Sequence, residues 1–180
     1  MVFTLLHYAQ AYLMYKASRG RLSYPGLLIG CFLPDLEIPV LIILGYPLSY
    51  ARLVLHSIIG SLMFSWIIAY FILPIHRSVI RKLVGIKPSI EVSKYLVSVE
   101  ISSLVHVLVD SLHHGYNPLL WPLTSSNITT LILFNNYELA STIMHILFLI
   151  MTITSLSLAI RLCGLRSLRL LIMRAIYAPK

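Results

Sequence analysis

The run His106-Val-Leu-Val-Asp110-Ser-Leu-His113-His114 places one carboxylate and three imidazoles within nine residues, at the end of a long apolar stretch. On a helix, His106, Asp110 and His113 fall at i, i+4 and i+7 and share a face. An ionised Asp in hydrocarbon is costly unless it meets a partner, a cation or water. The chain has only two aspartates, and the other, Asp35, sits in the comparably apolar Cys31-Phe-Leu-Pro-Asp35-Leu-Glu37. Two chemistries are open: Asp–His pairing that serves structure alone, or a metal site inside a membrane protein. Imidazole and carboxylate donors suit zinc, manganese or iron. A catalytic site keeps one position for water, whose pKa the metal lowers toward neutrality.

His7, Asp35, His56, His106 and Asp110 are the candidate metal ligands. His113 or His114 could bind metal, orient a ligand or act as general base. Glu37 is a candidate acid or base, or a side chain that reaches out to solvent. His114 points off the shared helical face and reads as a loop-edge residue, and His145 is a weaker candidate. Ser57, Ser61 and Ser65, at i, i+4 and i+8, mark helix packing rather than nucleophiles.

These groups need elements to position them. Hydrophobic residues make up 58% of the 180 and charged residues 11%, well under the ~25% charged of soluble domains. That balance predicts an all-α, multi-pass transmembrane bundle in contact with the lipid bilayer. The expected segments are 4–18 with Thr4 as N-cap, 25–45 broken at Pro34 and Pro39, 51–75, 90–114 and 137–160. About five membrane segments thus form one domain, 1–160, followed by a basic amphipathic C-terminal helix, 161–180. Between them lie a basic loop, 76–87, and a loop, 115–136, opened by Gly115-Tyr-Asn-Pro118. Cys31 and Cys163 lie in apolar surroundings without paired spacing, so no disulfide framework is expected. The net charge of +8 is gathered in short runs that fit anionic headgroups and not a nucleic-acid groove. No basic n-region precedes the first apolar stretch, so no cleaved leader is expected.

The basic runs 16–21, 76–87 and 161–180 can all be cytoplasmic if the segments alternate. The C-terminus is then cytoplasmic in a multi-pass cell-membrane protein. His7, His56, His106, His113, His114 and His145 fall at a similar depth near the outer face, with Asp35 a little deeper and His76 alone on the other side. Asn127-Ile-Thr129 is a glycosylation triplet in a loop placed outside, a weak agreement.

Four pieces occur in one order: Met1-Val-Phe-Thr-Leu-Leu-His7, Leu28-Ile-Gly-Cys-Phe-Leu-Pro-Asp35-Leu-Glu37, His56-Ser57 and Ser103-Leu-Val-His106-Val-Leu-Val-Asp110-Ser-Leu-His113. Over about residues 1–122 this order resembles integral membrane proteins related to the membrane-bound metal-dependent hydrolase family, themselves distant relatives of the zinc-dependent phospholipase C fold. The resemblance implies an all-helical membrane hydrolase with His7, Asp35, His56, His106 and Asp110 as motif positions and zinc as the metal. Two departures stand out. The hydrolase relatives carry His-Arg-x-x-Thr-His-Ser where this chain has Ala51-Arg-Leu-Val-Leu55-His56-Ser57. They also carry Pro-Asp-x-Asp-His where it has Pro34-Asp35-Leu-Glu37-Ile38. With those ligands missing or changed, one metal, or none, is expected rather than two or three.

The leading expectation is therefore a metal-dependent hydrolase acting on a phosphoester or lipid-like ester near the outer leaflet. The alternatives are a non-catalytic membrane protein with a structural His/Asp cluster and, behind it, a proton or metal transporter. Five segments without a repeat disfavour a monomeric transporter, and a homo-oligomer is compatible with the pattern.

Overall fold

The computed structural model describes residues 7–84, 90–128 and 131–163. Among them the regular structure is helical, with no strand. The helices are α1 (Tyr8–Ala17), α2 (Tyr24–Phe32), α3 (Glu37–Ile43), α4 (Ile58–Val84), α5 (Val92–Ser111) and α6 (Tyr137–Cys163), joined in places by short 3-10 turns. Thr4, Lys87, Thr129 and the 164–180 part of the expected amphipathic tail lie outside the described residues.

Among the described residues, four segments are long and apolar enough to cross a bilayer: 24–43, 58–79, 92–111 and 137–158. The ten residues of α1 rise only ~15 Å, short of the ~30 Å of hydrocarbon, so four spans are seen where about five were expected. On α4 and α6 the side chains of Met63, Trp66, Phe71, Ile75, Ile146 and Ile150 point outward and are exposed. A soluble protein rarely leaves that much apolar surface open, whereas a bilayer solvates it.

The segment expected over 25–45 is broken at Pro34 but not at Pro39, which sits in the first turn of α3, where a proline costs no hydrogen bond. Ser23 accepts from the Gly26 amide as N-cap, Pro25 occupies the first turn, and α2 ends just before Pro34. A 3-10 turn, Pro34–Leu36, then leads into α3. Gly45 closes α3 at φ +90°, a backbone region where L side chains are strained.

The third segment differs most from expectation. Residues 51–57 are not helical, and α4 starts at Ile58. Ser57 sets that start: its Oγ accepts from the Gly60 amide at 2.9 Å and its carbonyl accepts from Ser61, an N-cap placed inside an apolar run. At the far end α4 continues through Pro74 to Val84, so His76, Arg77, Arg81 and Lys82 are helical and not the start of a loop.

The centre of the bundle is the contact of α2 with α5. Gly26 and Gly30 lie one turn apart on α2, against Ser98 and Ser102 of α5. A Cβ on either glycine would collide with the α5 backbone, at the carbonyls of Tyr95 and Val99. Small residues at this spacing let two membrane helices approach closely. Hydrogen bonds fasten the seam: Ser102 Oγ donates to the Leu27 carbonyl at 2.7 Å, and the Ser23 amide donates to Ser98 Oγ at 2.7 Å. The α4 serines bond across to α5, with Ser61 and Ser65 both meeting Ser103 Oγ.

The two ends of the bundle differ in chemistry. At one end the first turn of α5 meets the α1–α2 connection, where Lys94 Nζ donates to the Gly20 carbonyl. Arg77 of α4 donates to the Ile90 carbonyl there. The opposite end gathers the start of α1, the α2–α3 break, the 51–57 segment and the end of α5, and it holds the histidines.

Candidate metal centre

Three elements together contribute four donors to one buried point. The α2–α3 break carries Asp35, the 51–57 segment carries His56, and the last turns of α5 carry His106 and Asp110. His56 Nε2 lies 3.6 Å from Asp35 Oδ1 and 3.7 Å from Asp110 Oδ2. His106 Nε2 lies 3.6 and 3.5 Å from the same two atoms. All four donors lie within 4.8 Å of one another and all four residues are buried.

These separations are diagnostic. An N–H···O hydrogen bond has its heavy atoms ~2.7–3.2 Å apart, so none of the four contacts is one. Indeed His56 Nε2, His106 Nε2 and Asp35 Oδ2 are buried with no hydrogen-bond partner. Donors ~2.0–2.2 Å from a tetrahedral ion are ~3.3–3.6 Å apart, the edge of that tetrahedron. The four contacts are close to that edge. Asp110 also sits in the last turn of α5, at the negative end of the helix dipole, where a cation is favoured.

A second tier of bonds aims the rings. Glu37 accepts from His56 Nδ1 at 3.1 Å and from the Leu53, Val54 and Leu55 amides at 3.2, 2.5 and 3.0 Å. One buried carboxylate thus folds the 53–55 backbone around itself and turns His56 Nε2 inward, the pattern of a metal-bound imidazole whose other nitrogen meets a carboxylate. Glu37 is 7% exposed, so it does not reach out to solvent. His7 Nδ1 donates to Gln10 Oε1 at 3.2 Å, while the Gln10 amide donates to the Ser102 carbonyl. His7 Nε2 is left 3.9 Å from Asp110 Oδ1, and its ring stacks at 4.1 Å on His106. It stands at the edge of the four-donor set and not within it.

His113 and His114 lie past the end of α5. His113 Nδ1 donates to the Val109 carbonyl at 2.8 Å, and its Nε2 lies 3.9 Å from Asp110 Oδ1. His114 Nε2 lies 3.6 Å from Asp110 Oδ2. The expectation that His114 points away is therefore corrected: the chain leaves the helix at Leu112, and the turn swings both rings back over Asp110. Burial pushes the His114 imidazole down to about 2 and lowers that of His113, with Asp110 opposing the shift in both. Both rings are thus held in the neutral form that binds metal. His145 of α6 meets His113 ring to ring at 6.5 Å, whereas His76 lies apart, beside Tyr95. Six of the seven histidines therefore gather at one end, as their depth along the segments predicted.

Two contributors were missed in the sequence. Gln10, one turn after His7, was legible as a helical i, i+3 partner. Arg52 is buried, with Nε 3.8 Å from Asp110 Oδ2 and no hydrogen-bond partner. Its signal was position, since besides Lys94 it is the only basic residue outside the three basic runs.

A cleft of about 1130 Å³ adjoins the cluster and is lined by Tyr50, Arg52, His113, His114, Tyr116 and His145, among others. Asp35, His56, His106 and Asp110 lie behind it. Across the 115–128 loop, Asn127 accepts from the Asn117 amide and donates to the Gly115 carbonyl at 2.6 Å. That bond occupies the nitrogen a glycan would need.

Fold and site together define an all-helical membrane protein with a buried His/Asp cluster, able to hold a metal ion, at one end of its bundle. The chain belongs to the YdjM inner membrane protein family, whose model matches residues 2–178. No curated protein and no solved structure matches it. The match runs well past residue 122, where the motif resemblance ends, and it carries no link to hydrolases.

Proposed function

We propose that the protein is a membrane-embedded, metal-dependent hydrolase that acts on a phosphoester or lipid-like ester at the membrane face opposite its basic loops. The observation that carries this reading is the set of four imidazole–carboxylate separations of 3.5–3.7 Å, too long for hydrogen bonds and close to the edge of a zinc tetrahedron. Asp35, His56, His106 and Asp110 would hold the ion, with His7 beside them. A zinc-like ion would supply Lewis acidity and a nucleophilic water near neutral pH.

The chain's own groups supply the rest. Glu37 is a positioning residue rather than a proton carrier, because both its oxygens are engaged by His56 and three backbone amides. His113 reaches the cleft and is the one of this pair that meets the substrate. Arg52 lines the cleft too and offers a cation to an anionic substrate. Ile146, exposed on α6, forms part of the same cleft and gives an acyl chain a lateral way in from the bilayer. A transporter reading gains nothing from this arrangement, since the donors sit behind a cleft at one end of the bundle.

The test is hydrolysis of chromogenic phosphoesters and carboxylic esters by the detergent-purified protein. Activity that chelation abolishes, zinc restores and His106→Ala lacks is the expected result. A well-folded, metal-loaded protein that turns over neither ester class would instead leave a structural metal cluster.

A further inference from the structure

We propose that Asp110, His113 and His114 form a second metal position, bridged to the first through the Asp110 carboxylate. The proposal rests on the metal reading of the first four donors and deepens it. Asp110, His113 and His114 can each direct one donor atom into a group within 4.8 Å, and all three are buried. Asp110 Oδ1 and His113 Nε2 are buried, 3.9 Å apart and without hydrogen-bond partners. Two such orphans facing each other are unfavourable unless something joins them. His113 already donates Nδ1–H to the Val109 carbonyl at 2.8 Å, so in the neutral ring Nε2 carries the lone pair a cation needs. The Asp110 oxygens open two sides: Oδ2 meets His56 and His106 of the first set and also His114, while Oδ1 meets His7 and His113. A carboxylate so placed can bridge two ions, which sit ~3.5–4 Å apart in hydrolytic pairs.

Position and charge give this second ion a role. His113 and His114 line the cleft, and the four donors of the first set do not, so the second ion is the one a substrate touches. His113 therefore meets the substrate through that ion. One divalent ion and Arg52 neutralise the three carboxylates Asp35, Glu37 and Asp110. A second divalent ion leaves two positive charges in excess beside the cleft. The ester best matched to that charge is a phosphate monoester dianion, with Arg52 on its rim, rather than an uncharged carboxylic ester.

The experiment is a Co2+ titration of the metal-free, full-length protein, followed by visible absorption. Two equivalents are expected for the wild type and one for His113→Ala, the retained equivalent also reporting an intact fold. In the unaltered protein, two equivalents of Mn2+ should give an exchange-coupled electron paramagnetic resonance spectrum. Inorganic phosphate should bind the doubly loaded wild type at least ~10-fold more tightly than His113→Ala. A single equivalent in the wild type, an isolated six-line Mn2+ spectrum, or unchanged stoichiometry in His113→Ala would overturn the second position and leave the first standing. No binding at all by the wild type would remove both.

Discussion

Asp110 is the residue on which the site turns. His7, Arg52, His56, His106, His113 and His114 each place a nitrogen within 4.0 Å of its carboxylate. Removing it takes a donor from every metal position and leaves the buried Arg52 cation without a counter-charge. Asp110→Ala is therefore expected to lose bound metal and to cost about 3–5 kcal/mol of stability, read by metal analysis and thermal melting in detergent. Glu37 works at one remove. Glu37→Gln retains the shape but weakens three amide bonds and the hold on His56, so metal affinity should fall ~10–100-fold, measured by competition with a chelating dye. If Glu37 were instead an acid or base, the same variant would keep its metal affinity and lose turnover alone. Protonated imidazole does not bind metal, so acid competes with the ion. Because burial lowers the His113 and His114 imidazoles, retention after dialysis should be high at pH 7.5 and lost only as the pH falls below the ordinary imidazole range.

Among the elements, the α2–α5 seam bears most of the positioning, because it ties the α2–α3 break to the helix that carries His106 and Asp110. Gly30→Val puts a branched side chain where the α5 backbone already lies. It should cost more than the ~1–3 kcal/mol typical of overpacking, visible as a large drop in melting temperature, while Gly45→Ala meets no clash and costs only the strain of its φ of +90° at the α3 terminus. The Gly26/Gly30 pair was legible as small residues one turn apart but went unnoticed beside the serines. The break at Pro34 and the extents of α5 and α6 were readable because proline chemistry and long apolar periods act locally, whereas Pro39 is absorbed in the first turn of α3 without a break. The start of α4 was not, because Ala51, Leu53, Val54 and Leu55 carry the apolar pattern on across Arg52. Only a carboxylate 16 to 18 residues earlier reveals that their amides bend around Glu37. Arg52 was hidden for the same reason, as its place beside Asp110 depends on that bend. His114 was misread because an ideal helix was extended past Leu112.

At the scale of the described bundle, the site lies at the end opposite Lys94, Arg77 and the α1–α2 connection. We propose from the positive-inside tendency that the site faces away from the cytoplasm. In a Cys163→Ser background, with Cys31 buried, a membrane-impermeant maleimide should label exposed Ser126→Cys in intact cells. Exposed Arg81→Cys should label only after permeabilisation, and the reverse pattern would invert the orientation. Most of this arrangement was readable from where His and Lys/Arg fall along the segments, whereas the convergence of side chains on Asp110 needed the fold. The most direct test of the account is the metal content of the purified full-length protein, by mass spectrometry, beside that of His106→Ala. The account predicts at least one zinc-like divalent ion per wild-type chain and its loss in a folded His106→Ala. A folded wild type with no bound transition metal, even after incubation with zinc, would contradict it.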